Sequence, residues 1–225
     1  MHKDKLHLQP HKTKGLFITF CGLDGCGKTT MIQRLTSYLQ EKQCPVLCTK
    51  QPTPFLRESE IFRTFMDQED HSAFDYRCLS LMAAGDRIQH VNKVILPELR
   101  AGKCVISDRY LYSWIANLRA RGYVRDRWTD EIASYMIQPD FAFFIDVPVQ
   151  TAVARVRSRT AERDRYIDME LQYKLRRQYC RIARKNRGII LSSLESEDTV
   201  FSQILEQIER HRWMRAANLR KEEGK

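Results

Sequence analysis

The feature that most limits how this chain can fold is the stretch from Gly22 to Thr29, "GLDGCGKT", which fits the pattern GxxxxGK[ST]. It follows an apolar run, "LFITF", that predicts a buried strand, and it opens a helix predicted over residues 29–42. Glycines at such a turn let backbone N–H groups and the positive end of the helix dipole surround a phosphate. The pattern therefore predicts a P-loop that binds a nucleoside triphosphate.

Charged and hydroxyl side chains near this loop predict phosphate chemistry. Lys28 can reach the β- and γ-phosphates, and the Thr29 hydroxyl can ligate Mg²⁺. Asp108 ends another apolar run, "KCVISD", where a carboxylate can hold Mg²⁺ or its water, and Arg109 follows it at once. We expect ATP to contact the whole loop: Gly22, Leu23, Asp24, Gly25, Cys26, Gly27, Lys28, Thr29 and Thr30.

Short, nearly continuous apolar runs alternate with helical patterns along the chain. The runs predict strands over 15–20, 44–50, 103–108, 141–147 and 188–193. The helical patterns cover 29–42, 74–102, 171–186 and 198–215. This alternation predicts a doubly wound α/β fold: three α/β/α layers around a five-stranded parallel sheet. We expect one domain over 15–215, a flexible tail over 1–14 and a C-terminal tail over 216–225.

Net charge, cysteine content and the length of the apolar runs limit the classes of protein to which this chain can belong. The net charge of +10 is dispersed rather than gathered in one block, which favours the handling of small polyanions over nucleic-acid binding. The seven cysteines form no metal-binding pattern and are expected to be reduced. The N-terminus lacks the apolar segment of a secretory signal and no run could span a bilayer, so we expect a cytoplasmic protein with no membrane partner.

From about Gly15 to Ile208 the chain resembles the thymidylate kinase family of nucleoside monophosphate kinases. The segments that carry the resemblance are "FCGLDGCGKTT", "AAGDRIQHVNKVILPELRAGKCVISDRY", "PDFAFFIDVPVQTAVARVRSR" and the arginine-rich stretch after it. The resemblance implies transfer of the γ-phosphate of MgATP to an acceptor nucleotide, with dTMP giving dTDP. It also implies a homodimer.

The resemblance also implies roles for particular residues. Asp24 matches the P-loop aspartate near the acceptor, and Arg109 the arginine between donor and acceptor phosphates. Acceptor-binding positions fall on Arg63, for the monophosphate, Arg87, for the base, and on Pro52 and Ser113. Residues 157–167 match an arginine-rich lid with Arg157, Arg159, Arg163 and Arg165, of which Arg159 and Arg163 are the catalytic candidates.

The acceptor side departs from the family pattern at several positions. Gln51 stands where the family has glutamate, and Ala83 where an aromatic ring commonly stacks on thymine. Trp114 and Asn117 replace a serine and a tyrosine. Phe55, Tyr76 and Trp114 are rings that could fill the gap. Three functions stay open from the residues: a dTMP or related pyrimidine nucleotide kinase, a deoxynucleoside kinase, and a non-catalytic nucleotide-dependent regulator.

Overall fold

The structure is a computed structural model that describes residues 5–67, 74–124, 127–163, 166–211 and 213–214. Five parallel strands form one sheet, as predicted, and their order in the sheet is β2-β3-β1-β4-β5. The strands are β1 (Leu16–Cys21), β2 (Val46–Lys50), β3 (Cys104–Asp108), β4 (Phe141–Asp146) and β5 (Ile189–Ser192). None of the helices in these ranges is long and apolar enough to cross a membrane.

Ten α-helices connect the strands within the described ranges. Five were not predicted: α2 (Pro54–Arg57), α3 (Glu60–Asp67), α6 (Leu111–Ala120), α7 (Trp128–Ser134) and α8 (Val149–Arg157). The others are α1 (Lys28–Glu41), α4 (Tyr76–His90), α5 (Leu96–Arg100), α9 (Met169–Lys185) and α10 (Glu197–Glu209). The missed helices have at most ten residues, which is shorter than the window of about 11–18 residues in which an apolar period is recognised.

Strand β1 positions the P-loop. All six of its side chains are buried, because β3 and β4 flank it and helices cover the sheet. Its register places Phe20 opposite Asp108 of β3. The carboxyl ends of neighbouring parallel strands therefore place the start of the P-loop beside Asp108.

Helix α1 buries a stripe that also carries the P-loop lysine. The buried residues of this helix are Lys28, Met31, Leu35 and Leu39, whereas Ile32 is only half-buried. Because residues three and four apart share a helix face, Lys28 points to the same side as this apolar stripe.

The long predicted helix over 74–102 is continuous but not uniform. Helix α4 passes through a π-helical turn, Val91–Ile95, into α5. Pro97 near the start of α5 has no N–H to donate to the preceding turn, which accounts for the change in hydrogen bonding. The helix stops at Gly102, as predicted, where φ is +83°.

The N-terminal segment predicted as a tail packs on the body from residue 5 onward. The Leu6 side chain is buried, and its N–H donates to Asn186 Oδ1 at 2.8 Å. Gln9 forms a parallel bridge with Ile137. These contacts join residues distant in sequence, so local patterns could not reveal them.

Candidate active site

Two glycines of the P-loop lie where no other residue fits. Gly22 has φ +142°, and a β-carbon there would lie 2.4 Å from the carbonyl oxygen of Ile145. Gly25 has φ +79°, and its β-carbon would lie 2.2 Å from the carbonyl oxygen of Ala152 in α8. The loop thus passes directly against the end of β4 and against α8, which explains the need for glycine.

The Lys28 ammonium lies against the inside of this loop. It donates to the carbonyl oxygens of Gly22 at 3.2 Å and Leu23 at 2.7 Å, and its side chain is buried. The structure therefore places a positive charge among the backbone groups that are predicted to surround the donor phosphates.

Thr29 and Asp108 both line one cavity of about 1010 Å³. Asp108 Oδ2 pairs with Lys50 at 3.3 Å, while Oδ1 is buried with no hydrogen-bond partner among the described residues. A carboxylate oxygen without a partner suits Mg²⁺, which prefers oxygen ligands and keeps waters or phosphates as the rest. No group of three or more acidic, His or Cys side chains in the described ranges could hold a metal without such additional ligands.

Arg109 connects the end of β3 to the P-loop. Its backbone adopts φ +69°, which is uncommon for a residue with a side chain and typical of functional sites. The guanidinium donates to Asp24 Oδ1 at 2.6 Å, to the Gly22 carbonyl at 3.1 Å and to the Tyr179 hydroxyl at 2.9 Å. Asp24 and Arg109, which were predicted separately as site residues, are therefore in direct contact.

Arg87 is a buried arginine of α4. Burial lowers its pKa to about 10, so it remains a cation at neutral pH. One guanidinium N–H donates to the Ala83 carbonyl at 2.8 Å, while Nε has no partner among the described residues. The hydroxyls of Ser80 and Ser113 are also buried without a described partner. These are polar groups that a ligand could satisfy.

Trp114 of α6 packs against α4 and α7. The indole N–H donates to the Ser80 carbonyl at 3.0 Å, and the ring packs edge-on against Trp128 at 5.4 Å. Asn117 stays within its own helix, donating to the Ser113 carbonyl at 2.9 Å. Of the three rings considered from the sequence, Phe55 is 84% exposed, whereas Trp114 is buried.

Tyr76 belongs to a cluster that the sequence did not indicate. Its ring lies 5.1 Å from Phe65 and 5.8 Å from Tyr123, and the Arg121 guanidinium lies 4.5 Å above it. Asn117 accepts a hydrogen bond from Arg121 at 2.9 Å. The segment after α6 thereby reaches the first turn of α4, a contact between distant parts of the chain.

The segment after β2 is fixed against α4. Pro52 follows a cis peptide bond, and the next residue, Thr53, donates its N–H to Asp86 at 2.9 Å. The buried Gln51 side chain bonds to His90 Nδ1 at 3.0 Å. Burial lowers the pKa of His90, whose other ring nitrogen bonds to the Thr49 hydroxyl at 2.8 Å. The segment that contains Pro52 is thus held to α4, the helix that carries Arg87.

The predicted lid follows α8. A 3₁₀ turn, Thr160–Glu162, lies within it, and Arg159 pairs with Glu162 at 3.2 Å. Its described arginines are exposed: Arg157, Arg159 and Arg163. Among the described residues, neither Arg159 nor Arg163 makes a hydrogen bond or ion pair with the P-loop; Arg165 lies outside those residues. Catalysis by the lid stays a prediction.

Arg155, just before the lid, is an arginine near the P-loop that the sequence did not single out. Its guanidinium donates to the hydroxyl and the carbonyl of Ser193, each at 3.0 Å. A β-carbon on Gly27 would lie 3.9 Å from Ser193 Cβ, so this pair borders the loop. Ser193 follows β5 and is far from Arg155 in the sequence, so no local pattern predicts this contact.

The two arginines near the acceptor side differ in environment. Arg63, predicted to hold the acceptor phosphate, is exposed on α3 and makes no side-chain hydrogen bond or ion pair with another described residue. Arg57, not singled out from the sequence, is half-buried at the end of α2. The charges of Asp108, Arg109, Asp24 and Asp86 act on it.

A P-loop at the carboxyl edge of a parallel sheet, faced by a strand-end Asp-Arg pair and a second polar region on α4 and α6, defines a P-loop nucleotide kinase. The comparisons with known proteins make the assignment specific. The thymidylate kinase family model matches residues 20–204. The chain belongs to the thymidylate kinase family, whose members are phosphotransferases.

Relatives and a solved structure agree with this assignment. A probable thymidylate kinase of Pyrococcus horikoshii is 36% identical over 197 residues, covering 85% of this chain and 95% of the relative. A thymidylate kinase of a Geobacillus species is 33% identical over 211 residues, covering 87% and 99%. The crystal structure of Ehrlichia chaffeensis thymidylate kinase is 28% identical, with a TM-score of 0.66, and covers 86% of this chain and 98% of that one.

Proposed function

We propose that this protein transfers the γ-phosphate of ATP, bound with Mg²⁺, to dTMP, forming dTDP and ADP. The observation that carries the proposal is the Arg109 guanidinium, which leaves the end of β3 and contacts Asp24 in the P-loop at 2.6 Å. One cation thereby adjoins the predicted donor site, at the loop, and the predicted acceptor site, at α4 and α6.

The donor half is supported by the loop and its lysine. The backbone N–H groups from Gly22 to Thr30 and the Lys28 ammonium bind the triphosphate, and Thr29 with Asp108 would hold Mg²⁺. Mg²⁺, when bound, supplies charge neutralisation at the phosphate oxygens. On the acceptor side, Arg87 and Ser113 offer buried polar atoms, and Pro52 lies on the segment that α4 holds.

The reaction needs positioning more than covalent participation by the protein. An oxygen of the acceptor phosphate forms a bond to the γ-phosphorus. The bond from that phosphorus to the β–γ bridging oxygen breaks, and its electron pair stays on ADP. Lys28 and Arg109 stabilise the charge on the oxygens as this occurs, and Arg159 and Arg163 are the lid residues proposed to contribute on closure.

The family assignment does not favour the deoxynucleoside kinase and the non-catalytic regulator. Mg²⁺ as the metal, the homodimer and the cytoplasmic location stay predictions, as does the absence of a nucleic-acid partner. Exposed apolar side chains on α4, such as Leu81 and Met82, support a protein partner on that helix.

A coupled assay of ADP release tests the function. The purified protein is given MgATP with dTMP, dUMP, dCMP or thymidine in turn. We expect the highest kcat/KM with dTMP and little turnover of thymidine, which has no phosphate to accept the transfer. Absence of turnover with dTMP, or faster turnover of thymidine, would contradict the proposal. Comparing kcat/KM for dUMP and dCMP with that for dTMP measures the base selectivity of an acceptor site that has Ala83 and Trp114 at these positions.

A further inference from the structure

Tyr179 is a buried tyrosine of α9 whose hydroxyl reaches the residue that follows β3. Its ring packs edge-on against Phe144 of β4, with the ring centroids 6.4 Å apart. The hydroxyl accepts a hydrogen bond from Nη1 of Arg109 at 2.9 Å. Tyr179 and Arg109 are 70 positions apart in the sequence, so the packing of α9 on the sheet creates this contact.

A second contact with the sheet fixes α9 beside this tyrosine. Arg176, three residues before Tyr179 and therefore on the same side of the helix, donates to both carboxylate oxygens of Asp146 at the end of β4, each at 2.7 Å. Ile182 and Ala183, one turn further on, are buried. Because an ion pair with two hydrogen bonds and an apolar face both hold α9, the Tyr179 hydroxyl has a defined position.

The hydroxyl is neutral where it meets the arginine. Burial raises the pKa of Tyr179 to about 12, although the positive charge of Arg109 opposes this shift. A neutral phenol accepts an N–H of the guanidinium without bringing a negative charge into the site. Tyr179 therefore orients Arg109 and leaves its positive charge available for phosphate, whereas the Asp24 carboxylate partly neutralises that charge.

The hydrogen bonds of Arg109 leave two of its donors for a ligand. A guanidinium has five N–H groups. Nη1, which has two, donates to the Gly22 carbonyl at 3.1 Å and to the Tyr179 hydroxyl, and Nη2 donates to Asp24. The N–H of Nε and the second N–H of Nη2 make no hydrogen bond with a described residue. Neighbouring donors of this kind bind two oxygens of one phosphate.

Loss of the tyrosine hydroxyl would disturb this arrangement. One N–H of Nη1 would then lack an acceptor, although the Arg109 side chain is only 17% exposed. An N–H without a partner in such surroundings is unfavourable, so the guanidinium would turn toward other acceptors. Phosphoryl transfer depends on the alignment of donors with the phosphate, and a rotated guanidinium would stabilise the transferring group less well.

We propose that Tyr179 is a positioning residue for phosphoryl transfer. Its hydroxyl fixes the orientation of the Arg109 guanidinium, so that the two remaining N–H groups face the transferring phosphate. The inference rests on the proposed function, because it depends on Arg109 as the cation between the predicted donor and acceptor sites. Tyr179 acts through Arg109 and has no contact of its own with the reacting atoms.

The first test is Tyr179→Phe, which keeps the ring and its packing and removes only the hydroxyl. We expect the kcat of dTMP phosphorylation to fall by about tenfold to a hundredfold, the range for one hydrogen bond to a charged group, while the KM for ATP stays within about twofold. Tyr135→Phe, at an exposed tyrosine after α7, is the matched control and should keep wild-type kinetics. A kcat of Tyr179→Phe within about threefold of the wild type overturns the inference.

A double substitution separates positioning from packing. Arg109→Ala removes the guanidinium, and its residual rate is measured under single-turnover conditions. If Tyr179 acts through Arg109, adding Tyr179→Phe to Arg109→Ala should change that rate by less than about twofold. If Tyr179→Phe lowers the rate equally with and without the guanidinium, Tyr179 acts on the packing of the P-loop, and the inference is overturned.

Binding of an unreactive ligand keeps this inference separate from the proposed function. The probe is adenosine joined to thymidine through five phosphates, which spans the donor and acceptor phosphate positions. Calorimetry should show that Tyr179→Phe binds this probe at least about fivefold more weakly, with the Kd for a non-hydrolysable ATP analogue within about twofold.

The two measurements together tell the two failures apart. If the wild-type protein binds the probe but does not phosphorylate dTMP, the proposed function fails, and a selective loss of probe affinity in Tyr179→Phe still supports the inference. If the wild-type protein phosphorylates dTMP and Tyr179→Phe does so equally well, the function stands and the inference fails.

Discussion

Lys28 illustrates how single residues prepare this site for phosphate. Its ammonium is buried, and the carbonyl oxygens of Gly22 and Leu23 hold it in the loop. The charge is therefore in place before a nucleotide binds, and little reorganisation is needed during the reaction. The Asp24–Arg109 pair prepares the opposite side in the same way.

Replacing Lys28 with methionine is expected to lower the kcat of dTMP phosphorylation by about 10²- to 10³-fold, because the side chain keeps its length but loses the charge that stabilises the transferring phosphate. Steady-state kinetics measure this. Lys185→Met, on the exposed end of α9, is the matched control and should retain wild-type kinetics. A Lys28→Met variant with kcat within tenfold of the wild type would count against the donor site described here.

At the scale of elements, α8 determines how closely the P-loop can approach the rest of the domain. A β-carbon on residue 25 would lie only 2.2 Å from the carbonyl oxygen of Ala152 in α8. The same helix leads into the segment predicted to be the lid. Packing of one helix therefore links the shape of the phosphate loop to the start of the predicted lid.

We expect Gly25→Ala to lower the free energy of unfolding by about 1–3 kcal/mol, since φ at this position is +79° and strain of this kind has that cost. We also expect ATP affinity to fall, because the loop must shift away from α8. Urea denaturation and calorimetry with a non-hydrolysable ATP analogue measure the two effects.

Adding Ala152→Gly should not rescue the Gly25→Ala variant, because the predicted clash is with the backbone carbonyl of residue 152 rather than with its methyl group. Full rescue by the second substitution, or unchanged ATP affinity in the single variant, would show that the contact with α8 does not limit the loop.

At the scale of the whole molecule, Asp140 joins the two ends of the chain to the sheet. Its carboxylate accepts from His11 at 3.0 Å and from the Phe17 N–H at 2.8 Å, and His211 lies 3.8 Å away. Burial alone would raise the pKa of Asp140, but the hydrogen bonds from His11 and Phe17 and the charges of His11 and His211 lower it. The N-terminal segment, β1 and the segment after α10 thereby meet at one carboxylate.

Asp140→Asn should lower the free energy of unfolding at pH 7 by about 1–2 kcal/mol, the scale of a charged hydrogen bond. Because the folded pKa lies below the unfolded value of about 3.9, the carboxylate stabilises the fold above that pH. This stabilisation is lost as the pH falls through the folded pKa. Urea denaturation from pH 7 to pH 3 should therefore show the two proteins converging as pH falls below about 4; a difference independent of pH would refute this account.

Local patterns predicted the five strands and the long helices close to their observed bounds. The apolar runs are continuous because helices cover both faces of the sheet, so nearly every position of a central strand is buried and takes an apolar residue. They missed α2, α3, α6, α7 and α8, which have too few turns for an apolar period to be recognised. They also treated residues 5–14 as a tail, because the partners of Leu6 and His11 lie more than a hundred positions away.

By itself, the sequence determined the P-loop and the parallel sheet, because each depends on residues close together in the chain. The contact between Asp24 and Arg109 came from the fold. Only the tertiary structure decided the surroundings of the acceptor site: Trp114 against Ser80, Arg121 over Tyr76, and Arg57 amid the charges of the P-loop and β3. The physical reason is that packing and electrostatics act through space, and these partners are brought together by the crossings of helices, which no local spacing encodes.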